Sequence, residues 1–157
     1  MECLVKLTYR FLEAPFRDDA INSVRKVFQE DLGKSVLYRV FANFKSTDGK
    51  WYGLFPLVYD TGAIITLLPS RIFDLLRVGK YATAALRGIS PKPELKVRLC
   101  KLTLKLQDEN RNQSPELSVW TAIAFRDDVP FVLGMKDLAT KHSLNTDFKN
   151  MRFSLDF

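Results

Sequence analysis

The sequence predicts an all-β domain, a closed antiparallel β-barrel or sandwich with one or two short helices, preceded by an N-terminal strand and helix. Three observations lead there. From Val36 onward apolar and polar residues alternate in runs of strand length, with turn formers between the runs. Asp48-Gly49 stands between two such runs, as in a tight hairpin. Helical periodicity is confined to short stretches.

Along the chain, Cys3, Val5, Leu7, Tyr9 and Phe11 fall on one side of a strand over residues 3–12, half buried against a core. A helix follows. Asp18 or Asp19 caps it, Ile21, Val24, Val27 and Phe28 share one face, and Gly33 offers a left-handed stop. Strands over 36–44 and 51–59 flank the turn Ser46-Thr47-Asp48-Gly49. Residues 69–78 read as a short helix, with Pro69 in its first turn and Gly79 past its end. In 95–106, Leu95, Val97 and Leu99 share one face while Leu102, Leu104 and Leu106 share the other, a change of phase that predicts a bulge or bend. A polar loop over 107–116 leads to an alternating strand over 117–125. The apolar run Phe131-Val132-Leu133 then meets Gly134 and a short helical stretch. Met151, Phe153, Leu155 and Phe157 alternate to the last residue, and so apolar a strand must pair with a sheet of its own chain or of a partner.

Composition narrows the chemistry. The 157 residues suit one domain, and a hydrophobic fraction of 46% is enough for a real core. No stretch has the length of a membrane helix, and charges interrupt the N-terminus where a signal peptide has its apolar run, so a soluble, cytoplasmic protein without membrane contact is expected. Cys3, Cys100 and the single His142 cannot supply a zinc cluster, and no metal or other cofactor is expected. The net charge of +6 is spread along the chain, with no arginine-rich arm; a nucleic-acid reading would need exposed aromatics interleaved with cations, and nucleic acid is not the expected partner. Lys96, Arg98, Lys101 and Lys105 read as a solvated face, Trp51 and Trp120 as core, His142 as a surface or loop residue, and Cys100 as an inert thiol in an apolar strand.

The chemistry concentrates at Phe55-Pro56-Leu57-Val58-Tyr59-Asp60-Thr61-Gly62-Ala63-Ile64-Ile65-Thr66-Leu67-Leu68-Pro69, an acid in a tight loop between two apolar strands. An ordinary Asp-Thr-Gly turn is flanked by polar residues. This one resembles the Asp-Thr-Gly-Ala signature of the retropepsin-like aspartic peptidases, and Phe131-Val132-Leu133-Gly134-Met135-Lys136-Asp137-Leu138 resembles the family's second hallmark, apolar residues followed by Gly and a short helix. The resemblance covers residues 36–157 and leaves 1–35 as an N-terminal extension of strand and helix.

The resemblance implies a homodimeric aspartic endopeptidase acting on peptide or protein substrates. A single Asp-Thr-Gly per chain implies that the second carboxylate comes from an identical subunit across a two-fold axis. Two carboxylates held close share one proton, so Asp60 would be ionised on one subunit, taking a proton from water, and protonated on the other, donating to the departing group. Gly62 would bring its N–H to the carboxylate, Thr61 would hydrogen-bond across the dimer axis, and Ala63 would leave room for substrate backbone. A flap is expected about residues 82–97 with Gly88 and Ile89 at its turn, where this sequence carries one glycine in place of the family's several. That departure motivates a second reading, a catalytically weak or inactive retropepsin-like module for peptide binding or dimerisation.

Overall fold

In this computed structural model, which describes residues 5–16, 18–31, 33–87 and 94–157, strands dominate. In chain order they are β1 (Lys6–Arg10), β2 (Leu12–Pro15), β3 (Lys34–Leu37), β4 (Arg39–Lys45), β5 (Trp51–Tyr59), β6 (Thr66–Leu68), β7 (Ala82–Leu86), β8 (Leu95–Gln107), β9 (Leu117–Ala124), β10 (Val132–Leu133), β11 (Ser143–Asp147) and β12 (Arg152–Asp156). Helix α1 (Asp18–Phe28) lies between β2 and β3, and α2 (Arg71–Leu75) between β6 and β7. No helix among the described residues is long and apolar enough to cross a membrane.

The all-β expectation holds. Strands β4-β5-β10-β6-β9-β8 are hydrogen-bonded in that order, and β8 pairs back onto β4 to close a six-stranded barrel. Closure leaves those strands no free edge, while β7 hangs on the outer part of β8. The barrel is mixed and not purely antiparallel, since β10 runs parallel to β5 and β6 parallel to β9. The alternation predicted for the first hairpin is visible in β4, where Val40, Ala42 and Phe44 point inward and are fully buried. Its turn also forms as read: Gly49, at φ +85°, donates to the Ser46 carbonyl at 3.0 Å, and Ser46 donates to the Lys50 carbonyl at 2.8 Å.

Three local readings need correction. No slip interrupts the register of β8 against β9, from Val97 opposite Ala124 to Leu104 opposite Leu117, so the predicted bulge is absent. The phase change has another cause: along one continuous strand the covered face switches, from Val97 to Cys100, Leu102, Leu104 and Leu106. Burial pushes the Cys100 thiol up to about 11, as suits the inert role read for it. The stretch after Gly134 is a run of turns in place of a helix, with Leu138 and Ala139 donating to the Met135 carbonyl at 3.1 and 3.0 Å. Finally, α1 ends at Phe28 and has no fully buried residue, Ile21 and Val24 being half-buried and Val27 and Phe28 71% and 67% exposed. Gln29, at φ +55°, turns the chain before Gly33 does.

The terminal strand finds a sheet in its own chain. β12 lies between β1 and β11, with Lys6 opposite Asp156 and Ser143 opposite Asp156 at one end. Tyr9 and Phe11 bring the first strand into the same core, Tyr9 stacking on Phe153 at 5.4 Å and Phe11 meeting it at 5.2 Å. The loop after β8 fastens this sheet to the barrel. The buried Asp108 carboxylate accepts from the backbone N–H groups of Thr8 at 3.1 Å, Asn110 at 2.9 Å and Asn112 at 2.9 Å, while the Tyr9 hydroxyl donates to the Gln107 carbonyl at 2.9 Å.

Candidate active site

Asp60 follows directly on β5, whose last residues are apolar and alternate inward through Leu57 and Tyr59. The strand ends there because the next residues turn: the Ala63 N–H donates to the Asp60 carbonyl at 3.1 Å. Within that turn the Gly62 N–H donates to Asp60 Oδ1 at 2.8 Å, which fixes the carboxylate orientation. A Cβ on Gly62 would stand 3.3 Å from Oδ1, a tight contact yet short of a clash, so glycine is favoured here by closeness to the carboxylate. Asp60, Thr61 and Gly62 are all exposed, and Ile64 beside them is 72% exposed.

The loop is braced from behind by the second apolar run. β10 inserts between β5 and β6, so that Asp60 N–H donates to the Leu133 carbonyl at 3.2 Å and Val58 N–H to the Phe131 carbonyl at 2.9 Å. Past the strand, Met135 donates to the Ala63 carbonyl and Lys136 to the Ile64 carbonyl, each at 2.8 Å. These bonds tie both sides of the Asp60 loop to one short segment. Gly134 makes this possible, because a Cβ there would lie 2.3 Å from the Ile65 carbonyl carbon and 2.6 Å from its oxygen. Its N–H donates to the buried Thr66 hydroxyl at 3.1 Å, a support that the sequence reading did not single out.

No protein-family model matches this sequence, and no curated protein matches it. Among solved structures, the chain is similar to a retropepsin-like aspartic protease from Rickettsia conorii. The identity is 14% and the TM-score 0.48, over 77% of this chain and 95% of that one.

The turn expected to hold Gly88 and Ile89 lies outside the described residues. Its two arms are described. β7 and β8 pair antiparallel from Ala82 opposite Leu99 to Leu86 opposite Leu95.

Behind Asp60 the structure shows a contact absent from the sequence reading. Tyr59 packs in the core, and its hydroxyl lies 2.6 Å from Nε2 of His142, which stands in the loop before β11, as read, and is half-buried. The other ring nitrogen, Nδ1, is 2.8 Å from the Leu138 carbonyl, which can only accept. The network therefore assigns the proton to Nδ1 and leaves Nε2 to accept from Tyr59. Burial pushes the Tyr59 hydroxyl up to about 12, so it stays a donor, and burial lowers the His142 pKa below its ordinary 6.5. The Phe157 ring stacks on the imidazole at 5.2 Å.

A pH dependence follows. As pH falls through about 6.5 the unfolded chain binds a proton that folded His142 refuses, so stability is withdrawn from there down to the depressed folded pKa, and no further below it. His142→Gln cannot titrate. Thermal melts of the Gln variant should lose less between about pH 7 and about pH 5 than melts of the unmodified chain. Parallel losses in the two proteins would remove His142 from the acid response.

Proposed function

We propose that this chain is one subunit of a homodimeric aspartic endopeptidase of the retropepsin-like type, with Asp60 as its half of the catalytic pair. The observation that carries the reading is the exposed Asp60 carboxylate, oriented by the Gly62 N–H and braced through Leu133, Met135 and Lys136. Such a group is rigid at its base and open to whatever approaches its face. Alone, one carboxylate cannot act as base and acid in the same step; two facing each other, holding one proton between them, can. Because β12 pairs inside its own chain, the case for a dimer rests on the single Asp-Thr-Gly and on the exposed loop with Ile64 beside it.

In this reading a water between the two Asp60 side chains loses a proton to the ionised carboxylate and attacks the peptide carbonyl. The protonated partner donates to the carbonyl oxygen, and the pair then returns a proton to the departing nitrogen. Thr61 supports the loop at the dimer axis, Ala63 lies alongside substrate backbone, and the β7–β8 hairpin lies over the extended substrate as an added strand does. Residues 36–157 form the peptidase unit and 1–35 its extension.

Two measurements together test this. Sedimentation at micromolar concentration should show a dimer. Cleavage of an unfolded protein should be greatest in acid, be blocked by a peptide mimic whose hydroxyl replaces the attacking water, and be indifferent to chelators. A strict monomer, or cleavage blocked only by chelator, overturns the mechanism, and a dimer without cleavage favours the inactive module.

A further inference from the structure

Both tryptophans expected in the core stand on the outer face of the barrel, Trp51 37% and Trp120 38% exposed. Each carries lysine ammonium groups over its ring. Lys45 and Lys105 approach the Trp51 ring centroid at 5.7 and 5.1 Å, and Lys101 approaches that of Trp120 at 5.4 Å. The strand register explains the grouping: Lys45 lies opposite Trp51 and Lys101 opposite Trp120, while β4 and β8 bring Lys45 opposite Thr103. Across four neighbouring strands, lysines of β4 and β8 thus stand between the Trp51 ring on β5 and the Trp120 ring on β9.

Two adjoining hollows lie on this face and share Lys80 and Lys101. The first, about 230 Å³, is ringed by Lys45, Lys80, Lys101 and Thr103. The second, about 500 Å³, is lined by Tyr81, Trp120 and Leu99 between the same two lysines. Asp48 lies at the rim of the first, taken up by the Ser46 hydroxyl and by Arg77 at 3.6 Å. Glu116 reaches Lys45 at 3.8 Å, but among the described residues Lys80, Lys101 and Lys105 form no ion pair. A cationic hollow beside an aromatic one suits a ligand that repeats an anionic group and a flat ring.

We infer that this face binds single-stranded nucleic acid, phosphates lying among Lys45, Lys80 and Lys101 and bases against Trp120, Tyr81 and Trp51. An acidic peptide would use the lysines and leave the rings without a role, and a duplex would keep its bases stacked on each other. The net charge of +6 favours approach of any polyanion. Trp51 opens the nine-residue β5 and Asp60 follows its end, about 30 Å away along an extended strand, while Trp120 stands beside the segment that braces the Asp60 loop, its backbone N–H donating to Asp137 Oδ2 at 2.7 Å.

The experiment is fluorescence anisotropy of a labelled oligothymidylate of about 15 nucleotides, titrated with the intact chain at several salt concentrations, with polyglutamate of similar length as competitor. Binding should weaken linearly in log–log form as salt rises. Lys80→Gln with Lys101→Gln, both on exposed side chains, should flatten that slope by about 1.4, at roughly 0.7 for each phosphate no longer neutralised. Trp120→Leu should weaken binding about tenfold with the slope unchanged. Circular dichroism checks that each variant folds, and the lysine pair decides the matter should Trp120→Leu not fold. Absence of binding at about 50 mM salt, a slope indifferent to the lysine pair, or polyglutamate competing as well as oligonucleotide with a folded Trp120→Leu silent would each overturn the assignment.

Discussion

Asp60→Asn should reduce peptide hydrolysis by about 10³-fold or more while leaving the fold in place. Asn has nearly the shape of Asp and keeps an oxygen that can accept the Gly62 N–H, so the 2.8 Å bond that orients the side chain survives. What disappears is the ability to take and return a proton. The same substitution separates chemistry from assembly. In the proposed dimer two facing carboxyl groups must retain a proton that separated monomers release as pH rises, so its formation should take up a proton, and it should weaken with rising pH across that window. The Asn chain has no such charge to hold and should associate with less dependence on pH. Retained cleavage by a highly purified Asn variant would sink the catalytic role of Asp60, and an unchanged pH dependence of association would sink the shared proton.

The largest effect on stability is expected at Gly134. An alanine Cβ would meet three backbone atoms of the neighbouring loop, Ile65 C at 2.3 Å, Ile65 O at 2.6 Å and Thr66 N at 2.7 Å. Backbone gives way far less than a flexible side chain tip, so relief requires β10 to withdraw from between β5 and β6. Withdrawal also strains the Gly134 bond to Thr66 and the Met135 and Lys136 bonds to the Asp60 loop. Gly134→Ala should therefore cost about 3 kcal/mol or more, a fall in melting temperature of roughly 10 °C. Gly79→Ala is the control, since nothing lies within 4 Å of its added Cβ and its backbone is not left-handed. Equal melting temperatures for the two variants would show that the close approach at Gly134 is relieved at little cost.

Several parts of this architecture are legible in the chain alone. The hairpin over β4 and β5 is one, because alternation and Asp48-Gly49 act between close neighbours. So are α2, which opens two residues after Pro69, and the apolar strands that end at Asp60 and resume at Thr66. Gly134 is marked by its place after Phe131-Val132-Leu133, though the reason only glycine fits needs the Ile65 backbone, which is distant in sequence.

Other parts are not legible there. Trp51 and Trp120 have the composition of core residues and sit on strands, yet their register puts them outward, and one step along a strand changes the face. The switch in β8 looks like a bulge because both a bulge and a change of covering layer invert an alternating pattern. Helix α1 has an apolar stripe at helical spacing, but the stripe is only partly covered, Ile21 and Val24 half-buried and Val27 and Phe28 exposed. The bond from Tyr59 to His142 joins residues 83 positions apart and has no local signature.

By itself, then, the sequence determined which barrel segments are extended, though not β11, where the first hairpin turns, and that an acid, a small loop and a later glycine occur in one order, because these depend on residues within a few positions of each other. Only the tertiary structure decided that β8 closes onto β4, that β12 pairs with β1, that Gly134 braces the Asp60 loop and that two tryptophans stand among lysines on the outer face. Each of those is a choice of partner between distant segments, settled by which faces the whole chain can cover at once.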